Sequence, residues 1–138
     1  MKIVLFGPER SMNLHSSALP KWKLTSILTY SRGPLDAFVQ ARFIGQGKLS
    51  ALYNLNGAWD VANNHVASAT YLDARLGYSI DMGSRSTLEL YGEVNNILDR
   101  APPIDPSYST FGTNPGQTNQ TLFDVLGRRF TVGLKLRM

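Results

Sequence analysis

The chain has 138 residues, a formal net charge of +4 and no cysteine, with 43% hydrophobic and 17% charged residues. This composition is too apolar for a disordered protein, and the absence of cysteine excludes a disulfide framework and thiolate metal sites. The positive charges are spread along the chain without a basic run, so we expect no nucleic-acid partner. The sequence contains no run of about 18 apolar residues, which argues against a transmembrane helix.

Residues 1–20 show no sustained periodicity and end at Pro20, and we interpret them as an irregular N-terminal segment or loop. Their short apolar run, Ile3 to Phe6, is below the roughly seven to fifteen residues that a secretory signal requires. Residues 21–138 are interpreted as one unit built from β-strands.

Five segments of this unit alternate apolar and polar residues with a period of two, which is the pattern of an amphipathic strand. The predicted strands are 22–31, 35–45, 70–81, 86–97 and 128–138. In the last of them, one face carries Phe130, Val132, Leu134, Leu136 and Met138. The fold class is therefore all-β, with antiparallel strands.

The five predicted apolar faces carry no charge, whereas the opposite faces carry ten. These are Lys23, Asp36, Arg42, Asp73, Arg75, Glu89, Glu93, Arg129, Lys135 and Arg137. Strands of about nine to eleven residues, joined alternately by short and long connections, are typical of outer-membrane barrels. A soluble β-barrel or sandwich that acts as a binding module gives the same alternation, and this alternative stays open.

Aromatic residues on the apolar faces agree with the membrane interpretation. If the C-terminus lies on the periplasmic side, Trp22, Phe43 and Phe130 fall at the outer rim of the barrel. Tyr30 and Tyr78 fall toward the inner rim, so that aromatic residues border both sides of the apolar band.

Two motifs near the C-terminus identify a family. The stretch LYGEVNNILDRAPP (residues 90–103), followed by LFDVLGRRFTVGLKLRM (residues 122–138), closely resembles the end of TonB-dependent outer-membrane receptors. The family's N-L-F-D-x-x-P-like motif is matched by Asn96, Asp99 and Pro102, and its Y-D-x-x-G-R motif by Phe123, Asp124, Gly127 and Arg128. Residues 71–80 are similar to the third-last strand of such receptors. The family usually ends in an aromatic residue, where this chain has Met138.

The resemblance implies that residues 21–138 are the last five or so strands of a barrel of about 22 strands, without the plug domain. It implies active uptake of a siderophore or another large nutrient across the outer membrane of a Gram-negative cell. Expected partners are outer-membrane lipid, the barrel-assembly machinery, the nutrient ligand and, through the missing plug region, the TonB complex. We expect no energised uptake by the fragment alone.

The resemblance also implies that the assembly machinery reads the apolar row of the last strand, from Phe130 to Met138. No catalytic set is evident, and we expect neither an enzyme nor a cofactor. His15 and His65 are far apart and have no neighbouring acids at ligand spacing, so we predict no metal site. Tyr53, Trp59, Tyr108 and Phe111 are predicted loop aromatics that could contact a substrate in an intact receptor.

Overall fold

The computed structural model describes residues 2–6, 20, 22–48, 65–83, 86–104 and 118–138. They form one open antiparallel sheet in which each strand pairs with its neighbours in sequence. The strands are β1 (Lys2–Phe6), β2 (Lys23–Arg32), β3 (Leu35–Ile44), β4 (Ala69–Gly83), β5 (Ser86–Asn95) and β6 (Arg129–Arg137). The all-β, antiparallel prediction is confirmed. Within these ranges, no helix is long and apolar enough to cross a membrane.

The alternation in the sequence is kept in register across the sheet. Leu35 lies opposite Tyr78, Tyr78 lies opposite Leu90, and Leu90 lies opposite Leu134. Because paired positions point to the same side, strands β2 to β6 share one apolar face and one polar face. A slip of one residue in any strand would place its charged side chains among apolar ones.

Tight connections join β2 to β3 and β4 to β5 at one end of the sheet, which we call the turn end. Gly33 and Gly83 adopt φ angles of 57° and 74°, which glycine reaches without steric cost. The Ser31 hydroxyl donates a hydrogen bond to the Asp36 carboxylate across the first turn. The opposite end, where the long connections leave β3 and β5, is called the loop end.

The five predicted strands lie within two residues of their observed bounds. The prediction of an irregular N-terminal segment is wrong for Lys2–Phe6, which form β1 and pair antiparallel with β2. This strand has five residues, KIVLF, four of them apolar and consecutive. A period of two is not visible in so short a run, so alternation could not identify it.

The buried apolar residues gather at the loop end of the polar face. Ile44 and Ala69 are partners in register at the ends of β3 and β4, and they cluster with Val66, Tyr71 and Phe123. This small core fixes the segment 118–128, which leads into β6, against the sheet. The core therefore lies on the opposite side from the apolar face.

Candidate functional site

No described part of the chain covers the apolar face of the sheet. Leu134 is 70% exposed and Val132 is 86% exposed, although both belong to a continuous apolar surface. No second layer of described strands packs against this face. Its exposed large residues include Trp22, Leu24, Leu28, Tyr30, Val39, Phe43, Leu76, Tyr78, Ile80, Leu90, Phe130, Val132, Leu134 and Leu136. A contiguous apolar surface of this kind marks contact with a membrane or another protein.

The aromatic residues of the apolar face lie toward its two ends. Trp22 and Phe43 are at the loop end, where the Trp22 carbonyl accepts a hydrogen bond from the N–H of Gly45 at 2.8 Å. Phe130, the second residue of β6, lies at the same end, and Tyr30 and Tyr78 lie toward the turn end. Their placement agrees with the two aromatic borders expected from the sequence.

Arg32, the last residue of β2, brings a charge onto the apolar face. It lies opposite Leu35 at the turn end, where the first hairpin begins. A long side chain at the border of an apolar surface can direct its guanidinium away from that surface. The rest of the apolar face in β2 to β6 carries no charged residue.

The polar face carries an open cavity of about 300 Å³, which is lined by residues of all five strands from β2 to β6. Thr29 on β2 and Arg137 on β6 both line this cavity, although three strands separate them. The cavity on the charged side therefore spans five strands, whereas a cavity of about 320 Å³ on the apolar side is lined by three strands, β4 to β6.

Charged side chains on the polar face pair with one another across strands. Arg75 Nη2 lies 2.8 Å from Glu89 Oε1, and the Arg75 guanidinium stacks over the ring of Tyr91 at 4.5 Å. Arg42 lies 3.6 Å from Asp73. Two cross-strand ion pairs thus include four of the ten charges predicted for this face.

Tyr91 and Gly133 form a close cross-strand pair on the polar face. A Cβ atom at position 133 would overlap the Tyr91 ring, so the ring occupies the space that a side chain on β6 would need. An aromatic ring laid over a glycine in this way restores packing at a position where the strand has no side chain.

The end of β5 is tied to the polar face by Asn96. Its backbone N–H donates to Asp73 Oδ1 at 2.9 Å, and its side chain bonds both the N–H and the carbonyl of Arg100. Asn96 is fully buried and has a φ of 51°, in the left-handed region that asparagine tolerates. Asn96 therefore ends the strand and shapes the start of the connection that follows.

The two C-terminal sequence motifs meet in space at the loop end. Asp99 Oδ1 accepts a hydrogen bond from the N–H of Arg128 at 3.0 Å, and Asp99 Oδ2 lies 3.5 Å from the Arg128 guanidinium. Gly127, which precedes Arg128, has a φ of 70°. The end of β5 is thus joined to the start of β6 by four motif residues, Asn96, Asp99, Gly127 and Arg128. The contacts assign them a structural role.

Asp124 lies one turn before this junction. Its side chain is 8% exposed, and Oδ1 accepts a hydrogen bond from the N–H of Leu126 at 2.9 Å and lies 3.3 Å from Arg129. Pro102 is half-buried in the segment after Arg100. Four motif residues form polar contacts at the loop end, namely Asn96, Asp99, Asp124 and Arg128, and Gly127 contributes its positive φ.

The structure says less about the other sites that the sequence predicts. The apolar row from Phe130 to Met138 is exposed along its whole length, on a strand that pairs with β5 alone within the described residues. His65 lies 3.2 Å from Gln46, and the described residues contain no cluster of metal ligands. His15 and the four loop aromatics, Tyr53, Trp59, Tyr108 and Phe111, lie outside the described residues.

Comparisons with protein-family models, with curated proteins and with solved structures find no match. Any function must therefore be inferred from the residues and the geometry of this chain. Sequence reasoning missed two features of that geometry, the core formed by Phe123 and the Tyr91–Gly133 pair. The Tyr91–Gly133 pair has a signal in the sequence, because Gly133 interrupts the polar side chains of β6 at the position that lies opposite Tyr91 of β5.

Proposed function

We propose that this chain is the C-terminal part of a TonB-dependent receptor barrel in the outer membrane of a Gram-negative cell. The apolar face contacts lipid, and the polar face lines the interior of the barrel. The intact receptor takes up a siderophore or another large nutrient, with the TonB complex acting through the plug region. The assembly machinery reads the apolar row Phe130 to Met138, and the chain is not an enzyme.

One observation carries this proposal. The apolar face is exposed, while the charged face carries an open cavity lined by residues of five strands. In a soluble sandwich or barrel the arrangement is reversed, because the apolar residues point to the enclosed core. An outward apolar band around a polar interior is the arrangement of transmembrane barrels.

The stagger of the hairpins supports the same proposal. The last pair of the first hairpin is Arg32 with Leu35. Leu35 also pairs with Tyr78 on β4, and β4 continues beyond Tyr78 as far as Gly83. The second hairpin therefore extends further along the strands than the first. At the loop end β5 stops at Asn95, while β3 and β4 continue. Turns that step in this way lie in one plane when the strands tilt, as they do in membrane barrels.

The experiment uses two neighbouring residues on opposite faces, Leu134 and Lys135. Because the chain has no cysteine, Leu134→Cys and Lys135→Cys each provide a single site for a fluorescent label. The labelled chains are folded into phosphatidylcholine vesicles with and without brominated acyl chains. We expect brominated lipid to quench the label at position 134 several-fold more strongly than the label at position 135.

Equal quenching at the two positions would contradict lipid contact through the apolar face. A monodisperse chain in detergent-free buffer would also contradict it and would favour the soluble binding module. Recovery of the chain with outer membranes after carbonate extraction gives an independent test of its location.

A further inference from the structure

The outer edge of β6 is open. In the described part of the chain this strand pairs with β5 on one side, which leaves the backbone N–H and C=O groups of the other side without a strand partner. Lipid offers no hydrogen bonds to such groups, so an open edge at membrane depth is strongly unfavourable. The edge therefore requires another strand whenever the apolar face lies in a bilayer.

The polar side of β6 is unusual in its charge. It carries Arg129, Lys135 and Arg137 and no acidic residue. Arg129 is paired with Asp124 at 3.3 Å. Across the described residues, no carboxylate lies within ion-pair distance of Lys135 or Arg137.

The neighbouring strand β5 does not compensate these two charges. Lys135 lies opposite Glu89, but Glu89 already binds Arg75 at 2.8 Å. Arg137 lies opposite Thr87, which is neutral. Both cations line the open cavity of the polar face and are exposed, so each is accessible to an added strand.

We propose that the open edge of β6 receives an extended strand that carries acidic residues opposite Lys135 and Arg137. The docked strand is antiparallel, like every other pairing in the sheet, and is apolar at alternate positions. The inference rests on the proposed function in one respect, that these apolar positions face lipid. The backbone supplies affinity, and the two acidic side chains select the partner and its register.

A second copy of this chain does not fit the edge. Two β6 strands paired with each other would bring their cations together, since neither has an acidic residue on its polar side. The sequence of β1, KIVLF, also contains no acid and adds a lysine. Like charges directly opposite one another destabilise a strand pair, so both self-pairings are disfavoured.

The test uses the wild-type chain in a non-ionic detergent and three nine-residue peptides designed to pair antiparallel with β6. All three share leucine or valine at the apolar positions and threonine at the remaining polar ones. The first has glutamate opposite Lys135 and Arg137, and the second has lysine there. The third keeps the composition of the first but places its glutamates opposite Arg129 and Thr131.

Binding is measured by fluorescence anisotropy of labelled peptides. We expect the first peptide to bind at least about tenfold more tightly than either of the others, with a preference that weakens as salt is added. Register is checked with Val132→Cys and a cysteine in the peptide, which should form a disulfide when placed opposite each other.

Reversing the charges of Lys135 and Arg137 tests whether these two residues select the partner strand. The double variant Lys135→Glu, Arg137→Glu should prefer the lysine peptide, whereas Lys23→Glu, on the same face of the interior strand β2, should leave the original preference unchanged. Equal binding of the three peptides, or no binding, would overturn the inference and assign the two cations to protection of an exposed edge. Disulfides between two Val132→Cys chains, with a doubled mass, would overturn it in favour of a second copy.

These outcomes are separate from those of the lipid experiment. If lipid quenches the label at position 134 selectively but the three peptides bind equally, the proposed function is supported and the inference of an acidic partner strand is wrong. Peptide selectivity without quenching would keep the edge site and remove the membrane assignment.

Discussion

The two faces of the sheet are stabilised in different ways. On the polar face the side chains satisfy one another, as Arg75 does with Glu89 and Tyr91, and Asp73 with Asn96. On the apolar face, side chains such as Val132 and Leu134 remain mostly exposed. The polar face is therefore held in large part by its own side chains, apart from cations such as Lys135 and Arg137, whereas the apolar face remains exposed.

This difference also distinguishes the described sheet from one whose apolar face is buried in a core. Burial of apolar side chains is the main favourable contribution to folding in water. Among the described residues, the buried apolar ones form a small cluster at the loop end, around Tyr71 and Phe123. Most of the apolar surface is exposed, and under the proposed function lipid covers it, so substitutions on the two faces should have different effects.

The largest contrast is expected between Leu134→Arg and Thr131→Arg. The first places a cation on the apolar face near the middle of β6, where contact with the bilayer interior should cost about 2–4 kcal/mol of folding free energy. The second places the same side chain on the polar face, opposite Glu93. Urea unfolding in lipid vesicles measures both. Equal losses would mean that the apolar face does not meet lipid.

A smaller effect is expected from Asp73→Ala on the polar face. Asp73 is almost fully buried, and its loss leaves the N–H of Asn96 without an acceptor and Arg42 without its ion pair. An unsatisfied buried donor costs about 1–3 kcal/mol. Asp36→Ala is the matched control, because Asp36 bonds Ser31 in an exposed hairpin and its removal should change stability by no more than about 0.5 kcal/mol. A similar loss for both variants would contradict a special role for Asp73.

Two glycines on adjacent strands test the packing of each face with the same substitution. Gly133→Ala should destabilise the sheet by about 1–3 kcal/mol, because the new methyl group meets the Tyr91 ring on the polar face. Gly92→Ala places its methyl group on the apolar face, where no atom lies within contact distance, and should be neutral or stabilising. If Tyr91→Ser restores the stability lost in Gly133→Ala, the clash with the Tyr91 ring is the cause of the loss. If it does not restore stability, the loss comes from an effect on the backbone instead.

The strands and their faces were predictable from the sequence, because alternation is a local property that five segments of nine or more residues display clearly. The strand β1 was not, since Lys2–Phe6 is short and does not alternate. The core at the loop end was also not predictable. Ile44 and Tyr71 occupy positions of the polar face, and they are buried because the distant segment around Phe123 packs over them. Periodicity within a strand contains no information about such a contact.

The site showed the same limits. The motifs around Asn96 and Gly127 were recognised from their residues, but their meeting through Asp99 and Arg128 joins positions 29 apart in sequence. The exposed row on β6 could be named in advance. The pairing of Arg75 with Glu89, which leaves Lys135 without a partner, depends on diagonal contacts that a list of strands does not specify.

The smallest predicted effect concerns Arg75. Arg75→Lys keeps a positive charge near Glu89 but loses the planar group that stacks over Tyr91, which should cost about 0.5–1 kcal/mol. Arg137→Lys is the matched control, since Arg137 forms no ion pair or ring contact within the described residues and should tolerate the change. Both are measured by urea unfolding at low and high salt. The Glu89 contact is partly exposed, so salt should weaken it in wild type and variant alike, while the loss from unstacking should persist. If high salt removed the whole difference between wild type and Arg75→Lys, the ion pair and not the ring would account for the preference for arginine on the polar face.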